Sequence, residues 1–100
     1  MEQQQKAPSR TVKRKPREPN KSKVIVLNDD YTTFEFVVRM LVEIFFMETS
    51  DAESTTETID REGSAVVGTY PRDIAESKAA AGIAMARAEH FPLRITTEDA

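Results

Sequence analysis

The chain has 100 residues, a mass of 11.3 kDa and a formal net charge of -3, which fits one small domain. It contains no Cys and one His, His90, which excludes disulfides, thiolate metal sites, cysteine nucleophiles and paired-His metal sites. No apolar run approaches the roughly 18–20 residues that span a bilayer, and no signal-peptide pattern is present, so we expect a cytoplasmic protein without a membrane partner. So small a domain favours binding over catalysis.

The net charge conceals two segments of opposite sign. Residues 1–23 contain eight Lys and Arg against two acids, a charge of +6, whereas residues 24–100 contain six against fifteen, a charge of -9. The first segment has few apolar residues and three of the five prolines, which is typical of disorder. We therefore predict a disordered basic N-terminal extension over residues 1–22 and a core domain over residues 23–100. A contact arm for RNA is the alternative, but the segment has no aromatic residue on which a base could stack, so we expect no nucleic-acid partner.

The first elements of the core domain are a strand and a helix. Residues 24–27 form a short, mostly β-branched apolar run, which predicts a strand buried on both faces. Thr32 and Glu35 then form the capping-box pattern of a helix start. Apolar residues recur at spacings of three and four as far as about Met47, which predicts an amphipathic helix. The residues of this apolar stripe are Phe34, Val37, Val38, Leu41, Ile44 and Phe45.

A second helix is predicted from Asp51 to Glu62. Gly63 follows it and can adopt the left-handed conformation that ends helices. Its one strongly apolar residue is Ile59, and its threonines have poor helix propensity. Because this helix can bury little apolar surface, we expect it to be mobile or partly frayed.

The remaining pattern predicts a strand over residues 65–70, an Ala-rich helix from Pro71 to about His90, and a last strand over residues 93–97. The small side chains of the helix allow close approach to a sheet. The order β-α-α-β-α-β predicts an α+β fold, in which a three-stranded antiparallel sheet has three helices packed on one face.

Several motifs of the chain resemble the ClpS family. They are Val-Leu-Asn-Asp-Asp-Tyr-Thr-x-x-Glu-Phe-Val at residues 26–37, Gly-x-Ala at 63–65, Asp-Ile-Ala-Glu-x-Lys at 73–78 and His-x-Pro-Leu at 90–93. The resemblance covers about residues 22–98. It implies a monomeric adaptor without catalytic activity or cofactor. Such an adaptor binds proteins by an N-terminal bulky hydrophobic residue and hands them to the Clp AAA+ unfoldase and its peptidase.

The resemblance also implies a site for the peptide's first residue. An α-ammonium requires acceptors and negative charge, which Asn28, Asp29, Asp30 and Asp60 offer at the mouth of the pocket. The pocket residues carried over from the family are Thr32, Phe34, Val37, Thr56, Ile59 and Leu93. For residues 28–30 the alternative is a plain strand-to-helix turn. For Val37, Ile59 and Leu93 the alternative is that they belong to the hydrophobic core.

A docking face for the unfoldase N-domain is implied at the start of the third helix. By the resemblance it contains Asp73, Glu76 and Lys78. The alternative is that the two acids only favour the helix start and that the lysine is their solvated partner.

The chain departs from the family pattern at four positions, three of them in the pocket. Phe34 replaces a Met that gates the pocket against β-branched side chains, and Thr56 replaces a second pocket Met. Asp60 replaces a His that hydrogen-bonds the α-amino group, and Thr33 replaces a Pro. We expect retained ammonium binding with a first-residue preference shifted toward Leu, Ile or Val. The alternative is a pseudo-adaptor or an engineered variant, which docks on the unfoldase with a changed or lost peptide site.

Overall fold

A computed structural model describes residues 20–100, and its elements follow in the order β-α-α-β-α-β. The strands are β1 (Lys21–Leu27), β2 (Ser64–Pro71) and β3 (Arg94–Asp99), and the helices are α1 (Phe34–Phe45), α2 (Thr49–Glu62) and α3 (Arg72–Ala88). The predicted fold class is confirmed. Most of the predicted extension lies outside the described residues, and β1 begins two residues before residue 23. No helix within residues 20–100 has the length and apolar character to cross a membrane.

The sheet has β1 at its centre, hydrogen-bonded antiparallel to β2 on one side and to β3 on the other. Alternate residues of β1, namely Ser22, Val24 and Val26, are buried, and those between them are half-buried. The expectation of a strand buried on both faces is therefore wrong. The helices cover one face only, and the other face leaves Val66 of β2 49% exposed.

Helix α1 contributes the largest share of the core. Its buried side chains recur at spacings of three and four: Phe36, Val37, Met40, Leu41 and Phe45. The helix is capped by Thr33 and not by Thr32, because the Thr33 hydroxyl accepts a hydrogen bond from the Phe36 N–H at 3.1 Å. It ends two residues earlier than predicted, where Phe46 adopts a left-handed φ of 59°.

Helices α2 and α3 pack small residues against their neighbours. Helix α2 buries only Ala52, Thr56 and Ile59, and α3 buries Ala75, Ala79, Gly82 and Ala86. A Cβ atom on Gly82 would lie 2.7 Å from Cδ1 of Ile95, so glycine allows α3 to approach the sheet closely. Whether α2 is mobile stays a prediction.

Candidate functional site

The ends of three elements meet at one side of the molecule. The Asn28 N–H donates to the Gly63 carbonyl at 2.9 Å, which ties the loop after β1 to the end of α2. Gly63 adopts a φ of 94°, as predicted from its place after the helix. Between these ends lies a cavity of about 350 Å³, near the small end of the range for ligand pockets. Its lining residues are Asn28, Asp29, Asp30, Thr32, Thr33, Phe34, Val37, Thr56, Ile59 and Asp60.

This cavity brings together all but one of the residues predicted to bind the peptide's amine or first side chain. Val37 and Ile59 belong both to its wall and to the core, being 5% and 2% exposed. Leu93 is 1% exposed and lies in the core, not at the cavity. Thr33 lines the cavity as well, which the sequence did not predict, although threonine's preference for helix N-caps is a signal that places it at the start of α1.

Asp29 organises the loop between β1 and α1. Its Oδ1 accepts hydrogen bonds from the backbone N–H groups of Tyr31 and Thr32 at 2.8 and 2.7 Å, and its Oδ2 accepts one from the Thr32 hydroxyl at 2.8 Å. Burial raises the pKa of Asp29, but these hydrogen bonds and the charge of Arg94 together hold it below the ordinary value of 3.8. Asp29 therefore stays ionised near neutral pH, and both of its oxygens hold the loop in place.

The other polar side chains at the cavity mouth are free to meet a ligand. Asn28, Asp30 and Asp60 are exposed and make no side-chain hydrogen bond to another residue in the range 20–100. Of the described residues that line the cavity, three carry carboxylates, Asp29, Asp30 and Asp60, and none is Lys, Arg or His. The C-terminal end of α2 adds a partial negative charge, and the carboxylates outweigh the partial positive charge at the start of α1. The mouth therefore attracts a cation that can donate hydrogen bonds.

One wall of the cavity is less polar than its mouth. Phe34, at the first position of α1, is 40% exposed, and Thr56 is 3% exposed. The Thr56 hydroxyl donates to the Ala52 carbonyl at 2.7 Å, so its proton is used within α2. With Val37 and Ile59 these side chains form a wall suited to an apolar group. The cavity as a whole fits a small molecule in which an ammonium lies next to an apolar side chain.

No group of three or more His, Asp and Glu side chains within residues 20–100 is arranged to hold a metal ion.

A second surface lies between the end of α1 and the first half of α3. Asp73 and Lys78, two of the three predicted docking residues, line a groove of about 360 Å³ there, whereas Glu76 is exposed on α3 outside it. Two apolar side chains that were not predicted also line it, Phe46 at 80% and Ile74 at 44% exposure. Phe46 lies outside the apolar stripe of α1. This position in the sequence distinguishes it from the core residues of that helix.

Lys78 has partners within the fold. Its Nζ donates to the Ile44 carbonyl in the last turn of α1 at 2.7 Å and lies 4.5 Å from the centre of the Phe46 ring. Lysine at this place satisfies a carbonyl that the helix end leaves free and gains a cation–π contact. Lys78 therefore shapes the groove as well as lining it.

Comparison with known proteins agrees with the family resemblance of the sequence motifs. The family model for the ATP-dependent Clp protease adaptor protein ClpS matches residues 17–96. The chain belongs to the ClpS family. The ClpS adapter protein of Nautilia profundicola is 44% identical over 81 residues, which are 81% of this chain and 84% of that protein. The ClpS adapter protein of Acetivibrio thermocellus is 44% identical over 82 residues, which are 82% of this chain and 83% of that protein.

The fold is also similar to a solved ClpS structure. The structure of Agrobacterium tumefaciens ClpS2 bound to L-phenylalaninamide has a TM-score of 0.80 and 42% sequence identity, and the match covers 83% of this chain and 100% of that chain. The chain is thus a ClpS-type adaptor of the Clp protease family in both sequence and fold.

Proposed function

We propose that this ClpS-family chain binds proteins by a free N-terminal residue with a bulky hydrophobic side chain and delivers them to the Clp AAA+ unfoldase and its peptidase. The observation that carries the proposal is the cavity in which three carboxylates meet an apolar wall. L-phenylalaninamide, the molecule bound by the ClpS2 relative, combines the two groups that such a cavity fits, an α-ammonium and an apolar side chain. We propose no catalytic step and no cofactor.

The polar residues of the cavity divide into two roles. Asn28, Asp30 and Asp60 accept hydrogen bonds from the α-ammonium, since their side chains have no other described partner. Asp29 adds its charge and holds the loop through Thr32. Because the carboxylates lie beside an apolar wall, their attraction for the ammonium is screened less than it would be on an open surface.

The apolar wall receives the first side chain. Phe34, Val37, Thr56 and Ile59 contact it, and Leu93 supports them through the core cluster that contains Val37 and Ile59. A rigid Phe and a short Thr stand where the family has flexible Met side chains that fill irregular gaps. We therefore propose that Leu, Ile and Val gain as first residues relative to Trp and Tyr.

Calorimetric titration of the full chain with the amides of Leu, Ile, Phe and Trp, each with a free and an acetylated amino group, tests this function. Acetylation removes the charge and should weaken binding at least tenfold, because hydrogen bonds to charged groups are among the strongest. Equal affinity for the free and acetylated forms contradicts the ammonium site. The variants Thr56→Met and Asp60→His should restore part of the preference for Phe and Trp over Ile, and an unaltered profile in both contradicts the proposed shift.

A second candidate function follows from the groove that Asp73 and Lys78 line. That groove is separate from the cavity, so the chain could dock on the unfoldase N-domain without presenting a peptide. A chain docked in this way would block other substrates. Binding to the N-domain, together with no binding to any of the free amides, would support this pseudo-adaptor over delivery.

A further inference from the structure

Helix α1 carries a second apolar stripe beside its buried one, and the two valines of this stripe are half-buried against the edge of the core. Phe34, Val38 and Val42 follow one another at four-residue spacing and so lie on one side of the helix. They form the floor of an open groove of about 310 Å³ between α1 and the first half of α2. The α2 residues that line this groove, Thr49 and Glu53, are polar, so α2 leaves the apolar floor partly open to solvent.

This groove is continuous with the cavity that we assign to the first residue. Phe34 lines both, so its side chain stands at the boundary between them. A peptide whose first side chain enters the cavity can therefore leave it along the groove. Continuity with the cavity favours the rest of the same peptide as the occupant.

The spacing of Phe34 and Val38 along α1 indicates which residue of that peptide lies over the groove. Val38 lies one helical turn, about 6 Å, beyond Phe34. In an extended peptide the third residue lies about 7 Å from the first and points its side chain to the same side. When the first side chain fills the cavity, the third therefore reaches Val38, and the second points away from it.

The charges around the groove select against acidic peptides. Glu35, Glu43 and Glu53 line it, and the one lining cation, Arg39, is held in a bidentate pair by Glu89 at 2.7 and 2.9 Å. An aspartate or glutamate in the peptide would thus meet three lining carboxylates and an arginine that is already paired with Glu89, whereas an apolar side chain would contact the floor.

We propose that this groove binds an apolar side chain at the third position of the substrate. The inference rests on the proposed function, because it requires the first residue to occupy the cavity. It adds a second point of recognition, formed by Val38 and Val42, that distinguishes among proteins sharing the same N-terminal residue.

Four peptide amides of the sequences Phe-Ala-Ala-Ala, Phe-Leu-Ala-Ala, Phe-Ala-Leu-Ala and Phe-Ala-Glu-Ala, titrated into the full chain, test it. Leu at the third position should strengthen binding about fivefold over Ala. Full burial of a Leu side chain would give a larger gain, but the groove is open and buries only part of it. Leu at the second position should change the affinity less than about twofold. Glu at the third position should weaken binding, and salt should reduce that penalty.

Variants of the groove floor supply the decisive comparison. Val38→Gln and Val42→Gln should lose the advantage of Leu at the third position while binding L-phenylalaninamide as the parent does, since a single residue does not reach the groove. Glutamine has at least the helix propensity of valine, so α1 is preserved. Val66→Gln is the matched control, because Val66 is half-exposed on the open face of the sheet and should keep the parent's profile.

The possible failures are separable. If L-phenylalaninamide does not bind the parent, the proposed function fails and the groove proposal fails with it. If that amide binds but Leu at the third position brings no gain, or the gain survives both Gln variants, only the groove proposal is wrong. If the Gln variants bind all four peptides more tightly, or change the sedimentation coefficient, the groove holds residues 1–19 or a second copy, which also overturns it.

Discussion

At the scale of single residues, neighbouring carboxylates of the site have different roles because they have different partners. Asp29 accepts three hydrogen bonds from its own loop, whereas Asp30 and Asp60 accept none from a described residue. The sequence predicted all of them as binders of the amine. It could not separate their roles, since the hydrogen bonds of Asp29 depend on how the loop folds.

Asp29→Ala should lower the free energy of unfolding by about 1 kcal/mol at pH 7, a modest value because the loop is partly exposed to solvent. The pKa of Asp29 is lowered in the folded chain, so its stabilisation is complete above the ordinary value near 3.8 and is lost as the pH falls through the lowered pKa. Urea unfolding at pH 7 and pH 3 measures this. A difference between parent and variant that is as large at pH 3 as at pH 7 would contradict the assignment.

Asp60→Asn should weaken the binding of L-phenylalaninamide about tenfold, because an amide oxygen replaces a carboxylate facing the ammonium. Glu57→Gln is the matched control, since Glu57 is an exposed carboxylate on the same helix that does not line the cavity. Calorimetry on both variants compares them directly. Equal losses would mean that the net charge of the molecule, and not the position of Asp60, attracts the ligand.

At the scale of elements, the periodic patterns identified the helices and strands, and the contacts between elements decided their ends. The predicted stripe of α1 identified Val37, Leu41 and Phe45 as core residues correctly. It missed the buried Phe36 and Met40, and it included Phe34, which is 40% exposed. Thr33 caps the helix, whereas the Thr32 hydroxyl donates to Asp29. The apolar run of β1 did not reveal that one face of the sheet is open. That property depends on where three helices pack, and a single strand does not encode it.

Lys78 shows the same limit for the docking face. Its place in a family motif predicted a partner outside the chain, and the structure gives it the Ile44 carbonyl and the Phe46 ring. These partners are 34 and 32 residues away in sequence, so no local pattern could have indicated them. The lysine joins α3 to the end of α1.

Lys78→Met keeps most of the aliphatic side chain and removes the ammonium. It should lower the free energy of unfolding by about 1 kcal/mol through the lost hydrogen bond and cation–π contact. Arg61→Met is the control, because Arg61 is exposed and its one ion pair within residues 20–100 is with its neighbour Glu62, so we expect a change of less than about 0.5 kcal/mol. Chemical denaturation compares the two. Equal stability of both variants would leave Lys78 as a surface residue without a structural role.

At the scale of the whole molecule, the two proposed recognition surfaces lie on different parts of one small domain. The cavity lies where β1 ends, and the groove of Phe46 and Ile74 lies between α1 and α3. The opposite end of β1 adjoins the start of α3, where the Arg72 N–H donates to the Asn20 carbonyl. The two ends of this strand are about 20 Å apart. No described residue lines both the cavity and the groove of Phe46 and Ile74, so a first residue in the cavity and a bound unfoldase need not compete for space. Glu43 lines both the groove of Phe46 and Ile74 and the groove proposed for the third residue, so those two surfaces adjoin.

Ile74→Ala should weaken binding to the unfoldase N-domain about tenfold, as expected for truncating an apolar anchor, and should leave the affinity for L-phenylalaninamide unchanged. Val66→Ala removes a similarly exposed side chain from the open face of the sheet and serves as the control. Surface plasmon resonance with the N-domain, beside calorimetry with the amide, separates the two sites. A parallel loss of both activities in Ile74→Ala would show that the surfaces are not independent.

The measurement that bears most directly on the central claim is an NMR titration of the full ¹⁵N-labelled chain with L-phenylalaninamide and, separately, with its N-acetyl form. The free amide should shift the backbone resonances of residues 28–37 and 56–60 and leave those of residues 73–78 unaffected. The acetylated form should produce no comparable shifts. Equal responses to the two forms, or shifts centred on α3, would contradict the assignment of the cavity as the site for a free N-terminal residue.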